Sequence, residues 1–197
     1  MTQTQVYTQV YTMEAFVEEV RQMFATTKDP KTQAQFVARK MQVLLNTPGW
    51  LEEKINLPAE GGYGRYDLHQ DEEYGHPEGG FLLMCGVSEP GKPAGIPHDH
   101  GTTWVVYGIY KGAIEQTKWR WSYPESDRTS PEIKKLESWV QKDGDIAFFL
   151  PGEIHNTHCV SDERTLVVRL EGQKLAGMLR HRYDPETNTA ETYTSGG

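Results

Sequence analysis

Two histidines, His98 and His100, stand two positions apart in the run Pro97-His-Asp-His-Gly, and a third, His155, follows the turn pair Pro151-Gly152. Side chains alternate faces along an extended chain, so His98 and His100 point one way and Asp99 the other. Neutral imidazoles are good ligands for divalent transition metals, and three on one side of an ion leave positions open for substrate. A pair of histidines at this spacing also arises by chance on a surface. The turn residues around it, and the third histidine just past Pro151-Gly152, favour the metal.

The elements that must position these groups are mostly strands. Gly61 to Leu68 reads as a strand opening on glycines, followed by a polar loop over residues 71–80 and a buried strand from Phe81 to Val87. Thr102 to Tyr110 and Ala113 to Trp121 are expected to form a hairpin about Lys111-Gly112. Ile133 to Val140 and Asp145 to Leu150 are expected to form another about Gln141-Lys-Asp-Gly. His155 to Val160 and Thr165 to Glu171 complete the series, with residues 122–132 as a loop. Short strands joined by turns indicate an antiparallel sandwich or barrel.

Helical spacing is confined to the first sixty residues. Phe16, Val20, Met23 and Phe24 form one apolar stripe, with Glu14 in the first turn, where the helix dipole favours it. Asp29-Pro30 starts a second helix with Val37, Met41, Leu44 and Leu45 on its apolar face, and Thr47-Pro48 a shorter third through Trp50 and Leu51. Residues 1–11 hold a brief repeat, Gln5-Val-Tyr-Thr and Gln9-Val-Tyr-Thr, read as a frayed lead-in or an edge strand. The stretch from Asp184, rich in Thr, Asn and Glu, is expected to be a loose tail.

The 197 residues suffice for one domain with a real core. A net charge of −8 disfavours nucleic acid and anionic membranes as partners. Two cysteines, Cys85 and Cys159, each in an apolar run, do not make a disulfide framework, and no stretch has the length and apolarity of a spanning helix. A cytoplasmic protein, monomeric or a small homo-oligomer, is the expectation.

The run Gly95-Ile-Pro-His98-Asp-His100, with Gly112 twelve residues on, then Gly144-Asp, Pro151-Gly and His155-Asn156, resembles the two metal-binding motifs of the cupins. Within them it is most similar to the cysteine dioxygenase group of thiol dioxygenases: helices precede the barrel, Asp99 lies between the histidines, and Tyr63-Gly-Arg65 comes ahead of the apolar strand. The resemblance implies an all-β core, a double-stranded β-helix (cupin) barrel with an N-terminal α-helical extension. The expected division is residues 1–58 for the extension, 59–183 for the cupin domain and 184–197 for the tail. Most cupins carry a glutamate ligand four residues after the second histidine, where this chain has Trp104, with Val105 next. The implied site is therefore three histidines holding Fe(II). Three neutral ligands leave the ion its full charge, which suits an anionic thiolate and dioxygen bound side by side.

The resemblance implies that Arg65 grips a substrate carboxylate through its guanidinium fork. On a strand, Arg65 could equally pair with Asp67 or Glu115. Trp104 is either a pocket wall or a barrel-packing aromatic. Thiol dioxygenases usually place Ser, His and Tyr on the strand after the third ligand, and this chain has Val167, Arg169 and Glu171 there. Arg169 and Glu171 share a face. If that face is internal, they form a buried ion pair beside the metal, Arg169 anchoring an acidic substrate and Glu171 accepting a proton at a raised pKa. Asp99 and Asn156 are expected to fix loop geometry or an imidazole tautomer, and His181 to lie on the surface.

The expected activity is dioxygenation of a small thiol carboxylate to its sulfinate, with dioxygen and an anionic small molecule as partners. Two rivals stand beside it. One is another metal-dependent cupin enzyme, a diketone-cleaving dioxygenase or an isomerase or lyase with Glu171 or Glu115 as base. The other is a non-catalytic cupin that binds a small acidic ligand.

Overall fold

The computed structural model describes residues 10–57, 64–77, 79–124 and 130–195. Most of the N-terminal repeat and Tyr63 lie outside them. Helix α1 (Met13–Thr26) begins where the Thr12 hydroxyl accepts the Ala15 N–H, and α2 (Pro30–Leu45) where Asp29 accepts the Thr32 N–H, with Pro30 in the first turn. No third helix follows. Pro48 is succeeded by Gly49 at φ +78°, and the chain passes through turns that still bury Trp50 and Leu51.

Among the described residues ten strands follow: β1 (Arg65–Gln70), β2 (Leu82–Ser88), β3 (Val105–Lys111), β4 (Ala113–Trp121), β5 (Ile133–Lys142), β6 (Ile146–Phe149), β7 (Ile154–Cys159), β8 (Thr165–Glu171), β9 (Leu179–Asp184) and β10 (Thr189–Thr194). They form an antiparallel sheet β1-β2-β8-β3-β6, a facing sheet β5-β4-β7, and the ribbon β9-β10. The expected hairpins at Lys111-Gly112 and at residues 141–144 are absent. β3 pairs with β6 and β8, while β4 pairs with β5 and β7, so both turns are corners that carry the chain from one sheet to the other. A sequence turn signal reports a reversal, not its partner. At Gly112 the reversal needs φ +95°, and an added Cβ would lie 2.5 Å from Thr165 Oγ1. This repeated crossing between two sheets makes the fold a double-stranded β-helix.

The period of two divides the large sheet between two cores. On its outer face Leu83, Cys85, Trp104, Val106, Val168 and Leu170 meet Phe16, Val20, Phe24, Val37, Met41 and Leu44 of the helices. On its inner face Val105, Tyr107, Ile109 and Val167 meet Ile114 and Phe149 inside the barrel. Burial pushes the Cys85 thiol up to about 12, and both cysteines are free.

The C-terminal stretch is not a loose tail. β9 and β10 pair from Leu179–Thr194 to Asp184–Thr189, across the expected domain boundary at 183/184. The Asp99 carboxylate accepts the His181 Nδ1 and Tyr183 hydroxyl hydrogens, each at 2.8 Å, and Tyr183 N donates to Pro97 O. Composition alone suggested disorder; pairing with β9, itself tied to the buried Asp99 carboxylate, repays the ordering.

Candidate metal centre

His98 and His155 form a directly opposed antiparallel pair that exchanges both backbone hydrogen bonds, at 2.9 and 3.0 Å. The His98 segment therefore runs between β7 and β9. After His100 the chain turns at Gly101, φ +63°, where a Cβ would lie 2.6 Å from the Leu179 carbonyl, so the ribbon sits directly on the metal loop. The three imidazoles converge, with ligating nitrogens all within 4.8 Å of one another.

The tautomers of His98 and His155 follow from what each ring faces. His98 Nδ1 lies 2.9 Å from the Ile96 carbonyl, so it carries the hydrogen and Nε2 is left as the ligand. His155 Nδ1 faces Gln116 Oε1 at 3.0 Å. That amide is oriented in turn: Gln116 Nε2 donates to Gln141 Oε1 at 2.8 Å, and Gln141 Nε2 points to the Tyr107 and Asp145 carbonyls at 3.4 and 3.5 Å. Backbone carbonyls can only accept, so the chain of amides fixes Nδ1–H on His155 and aims Nε2 inward. Burial lowers the His98 pKa to about 4, with Arg180 and Arg169 adding to it, and burial with neighbouring cations holds His100 and His155 well below the ordinary value. All three are neutral, ligand-competent imidazoles at pH 7.

The donor set fits a metal. His100 Nε2 and His155 Nε2 stand 3.2 Å apart, the separation required of two ligands each about 2.1 Å from one ion and near a right angle. His100 Nδ1 is buried without a hydrogen-bond partner among the described residues.

Beside His98 lies a cavity of about 180 Å³ lined by Met84, Tyr107, Ile114, Val167 and Arg169 among others. The face carrying Val167, Arg169 and Glu171 is thus internal. Arg169 Nη2 pairs with Glu171 Oε1 at 3.0 Å, and Glu171 Oε2 accepts the Leu175 N–H at 2.8 Å, so both carboxylate oxygens are engaged in holding the guanidinium and a backbone turn. Arg169 also lines an adjoining pocket of about 200 Å³ with Arg65, Arg180, Arg182, Tyr193 and Glu171. Four guanidinium groups on one carboxylate make this a cationic recess on a chain of net charge −8.

Arg65 opens on that recess rather than on the histidine cavity, and its Nε pairs with Asp67 Oδ1 at 2.9 Å on the edge strand. Trp104 is not a pocket wall. Its indole N–H donates to Gln33 Oε1 at 2.9 Å beneath the helices, and the ring stacks on Phe24. Asp99 fixes the loop and the ribbon, and sets the tautomer of His181 rather than of one of the three clustered imidazoles. His181 is tied to it, and Asn156 accepts from the Trp119 indole.

Sequence reasoning missed Tyr107, Gln116, Arg180 and Arg182. Tyr107 brings a phenol into the barrel from β3, its oxygen 3.2 Å from His100 Nε2. Gln116 was findable as a polar residue in phase with Ile114 on an alternating strand. Arg180 and Arg182 repeat the two-residue spacing of the histidines, within a segment whose final strand was read as tail.

No protein-family model and no curated protein matches the chain. Among solved structures it is similar to an uncharacterised double-stranded β-helix protein from Klebsiella pneumoniae, at 15% identity over 75% of this chain and 89% of that one, TM-score 0.42. It is similar to KdgF from a Halomonas species at 14%, over 62% and 92%, TM-score 0.43. Staphylococcus aureus CapF, a capsular polysaccharide assembling protein, aligns at 13% over 92% of this chain but 46% of its own, TM-score 0.45. Likenesses this distant carry no argument of their own, and the fold rests on the strand order. Two antiparallel sheets between which the chain crosses repeatedly, with three histidines gathered together, make this chain a double-stranded β-helix.

Proposed function

We propose that His98, His100 and His155 hold a single Fe(II) and that the protein is a dioxygenase of the thiol dioxygenase kind, converting a small thiol carboxylate to its sulfinate. The observation that carries this reading is the pairing of a carboxylate-free, three-imidazole cluster with the cavity that Arg169 lines. When bound, Fe(II) supplies a site for thiolate and the activation of dioxygen. Arg169, held by Glu171, presents a guanidinium to the substrate carboxylate, and Arg180 and Arg182 add positive potential at the mouth of the recess. Met84, Ile114 and Val167 keep the reacting end dry. Both atoms of one dioxygen end on one sulfur, so the reaction needs no outside reductant.

An isomerase or lyase needs a free base here. Glu171 has both oxygens engaged, and Glu115 lies on β4 out of phase with the inward Gln116. The direct test is anaerobic iron loading followed by oxygen uptake with a panel of thiol carboxylates and diketones, products being identified by mass. Stoichiometric sulfinate supports the proposal; a cleaved carbon chain, or no uptake with any thiol, contradicts it.

A further inference from the structure

The phenol oxygen of Tyr107 stands 3.2 Å from His100 Nε2 and 3.4 Å from His155 Nε2, and those nitrogens are 3.2 Å apart. A point equidistant from the corners of that triangle lies about 1.9 Å from each, close to the roughly 2.0–2.1 Å of a metal–ligand bond. Without a metal these contacts are satisfied only with His100 protonated on Nε2, donating to the phenol oxygen while the hydroxyl donates to His155 Nε2; a cation at the centre would meet all three donors at once. The ring is also held in place. Phe149 packs edge-on at 6.0 Å, the His155 ring lies 5.2 Å away, and the Arg169 guanidinium sits 5.2 Å over its face, so the oxygen cannot swing out without displacing the inner core.

We propose that Tyr107 is a fourth protein ligand, making the centre three imidazoles and one phenol oxygen; this rests on the reading of the three histidines as metal ligands. Ferric iron held there would take Tyr107 as a phenolate and supply a charge-transfer absorption by which the ligation can be read.

The test uses full-length wild type and Tyr107→Phe, each loaded anaerobically with one equivalent of Fe(II). Ferricyanide then takes one electron from each iron, becoming ferrocyanide, before desalting. Iron content, visible absorption and resonance Raman spectra are recorded. The wild type is expected to show a phenolate-to-iron charge-transfer band with tyrosine ring vibrations, and Tyr107→Phe to retain equal iron without the band. Iron retained by the wild type with no such band, or a band that survives the substitution, overturns the proposal while leaving the three-histidine site standing. Iron retained by neither protein overturns that site and this proposal together. Circular dichroism checks the fold of the variant. Should it not fold, ring-deuterated tyrosine in the wild type decides: an isotope shift of the band supports tyrosine ligation, and no shift overturns it.

Discussion

The two faces of the large sheet are built from the same strands and do opposite work. Trp104, just ahead of β3, and Val106 on it point out to the helices while Val105 and Tyr107 point into the barrel. Along β8, Val168 and Leu170 point out while Val167, Arg169 and Glu171 point in. The outer face is apolar and closed, with the Trp104 indole seated on Gln33. The inner face spends its alternate positions on a phenol, an ion pair and the edge of the imidazole cluster. Burying charge costs free energy. The sealed outer core offsets that cost, and chemistry and stability are divided by side-chain parity rather than by separate regions of the chain.

The division is broken most severely from the outside. Phe24→Ala removes a fully buried ring stacked on both Phe81 and Trp104, and is expected to cost about 3–5 kcal/mol in denaturant unfolding while the folded fraction binds metal as before. A loss of metal affinity larger than the loss of folded protein would show that the two faces are coupled. From the inside, Gln116→Leu strips the acceptor from His155 Nδ1 and frees the tautomer. Metal affinity is expected to fall about 10–100-fold, with little change in the melting temperature of the metal-free protein. An unchanged affinity would mean that the amide chain does not aim the imidazole.

The smallest effect separates the faces by pH. The His98 pKa in the folded chain is about 4, below the ordinary value of 6.5, so between those values the unfolded chain binds a proton that the folded chain refuses. Stability of the metal-free protein is therefore expected to decline as pH falls from about 6.5 to 4, at no more than about 1.4 kcal/mol per pH unit from this group. His100 and His155 shift the same way and extend the decline lower. Metal should leave the upper part of this slope unchanged and prolong the decline below pH 4, where protons must displace it from the same nitrogens. A flat profile for the metal-free protein would show that the imidazoles are not buried as described.

Much of this was legible in the sequence because alternation survives as a local signal. The positions of β4 and β8, the two helices and the three histidines all follow from spacing and turn residues. What stayed hidden depends on partners distant in sequence. The corners at Gly112 and Gly144 look like hairpins because a reversal does not say which strand receives the next one. The polar segment past Asp184 looks loose because what orders it is pairing with β9, a strand tied in turn to the carboxylate of Asp99 some eighty residues earlier in the chain. Tyr107 escaped notice because the turn at Gly101 breaks the count of faces between it and His100. Gln116 acts only through a neighbouring strand.

The central claim is that His98, His100 and His155 together hold one metal ion. Iron content after anaerobic loading and desalting, measured for the wild type and for His155→Ala beside their metal-free melting curves, tests it most directly. The account predicts about one iron per wild-type chain, close to none in His155→Ala, and a variant that still melts cooperatively. Equal iron in the two proteins would contradict it.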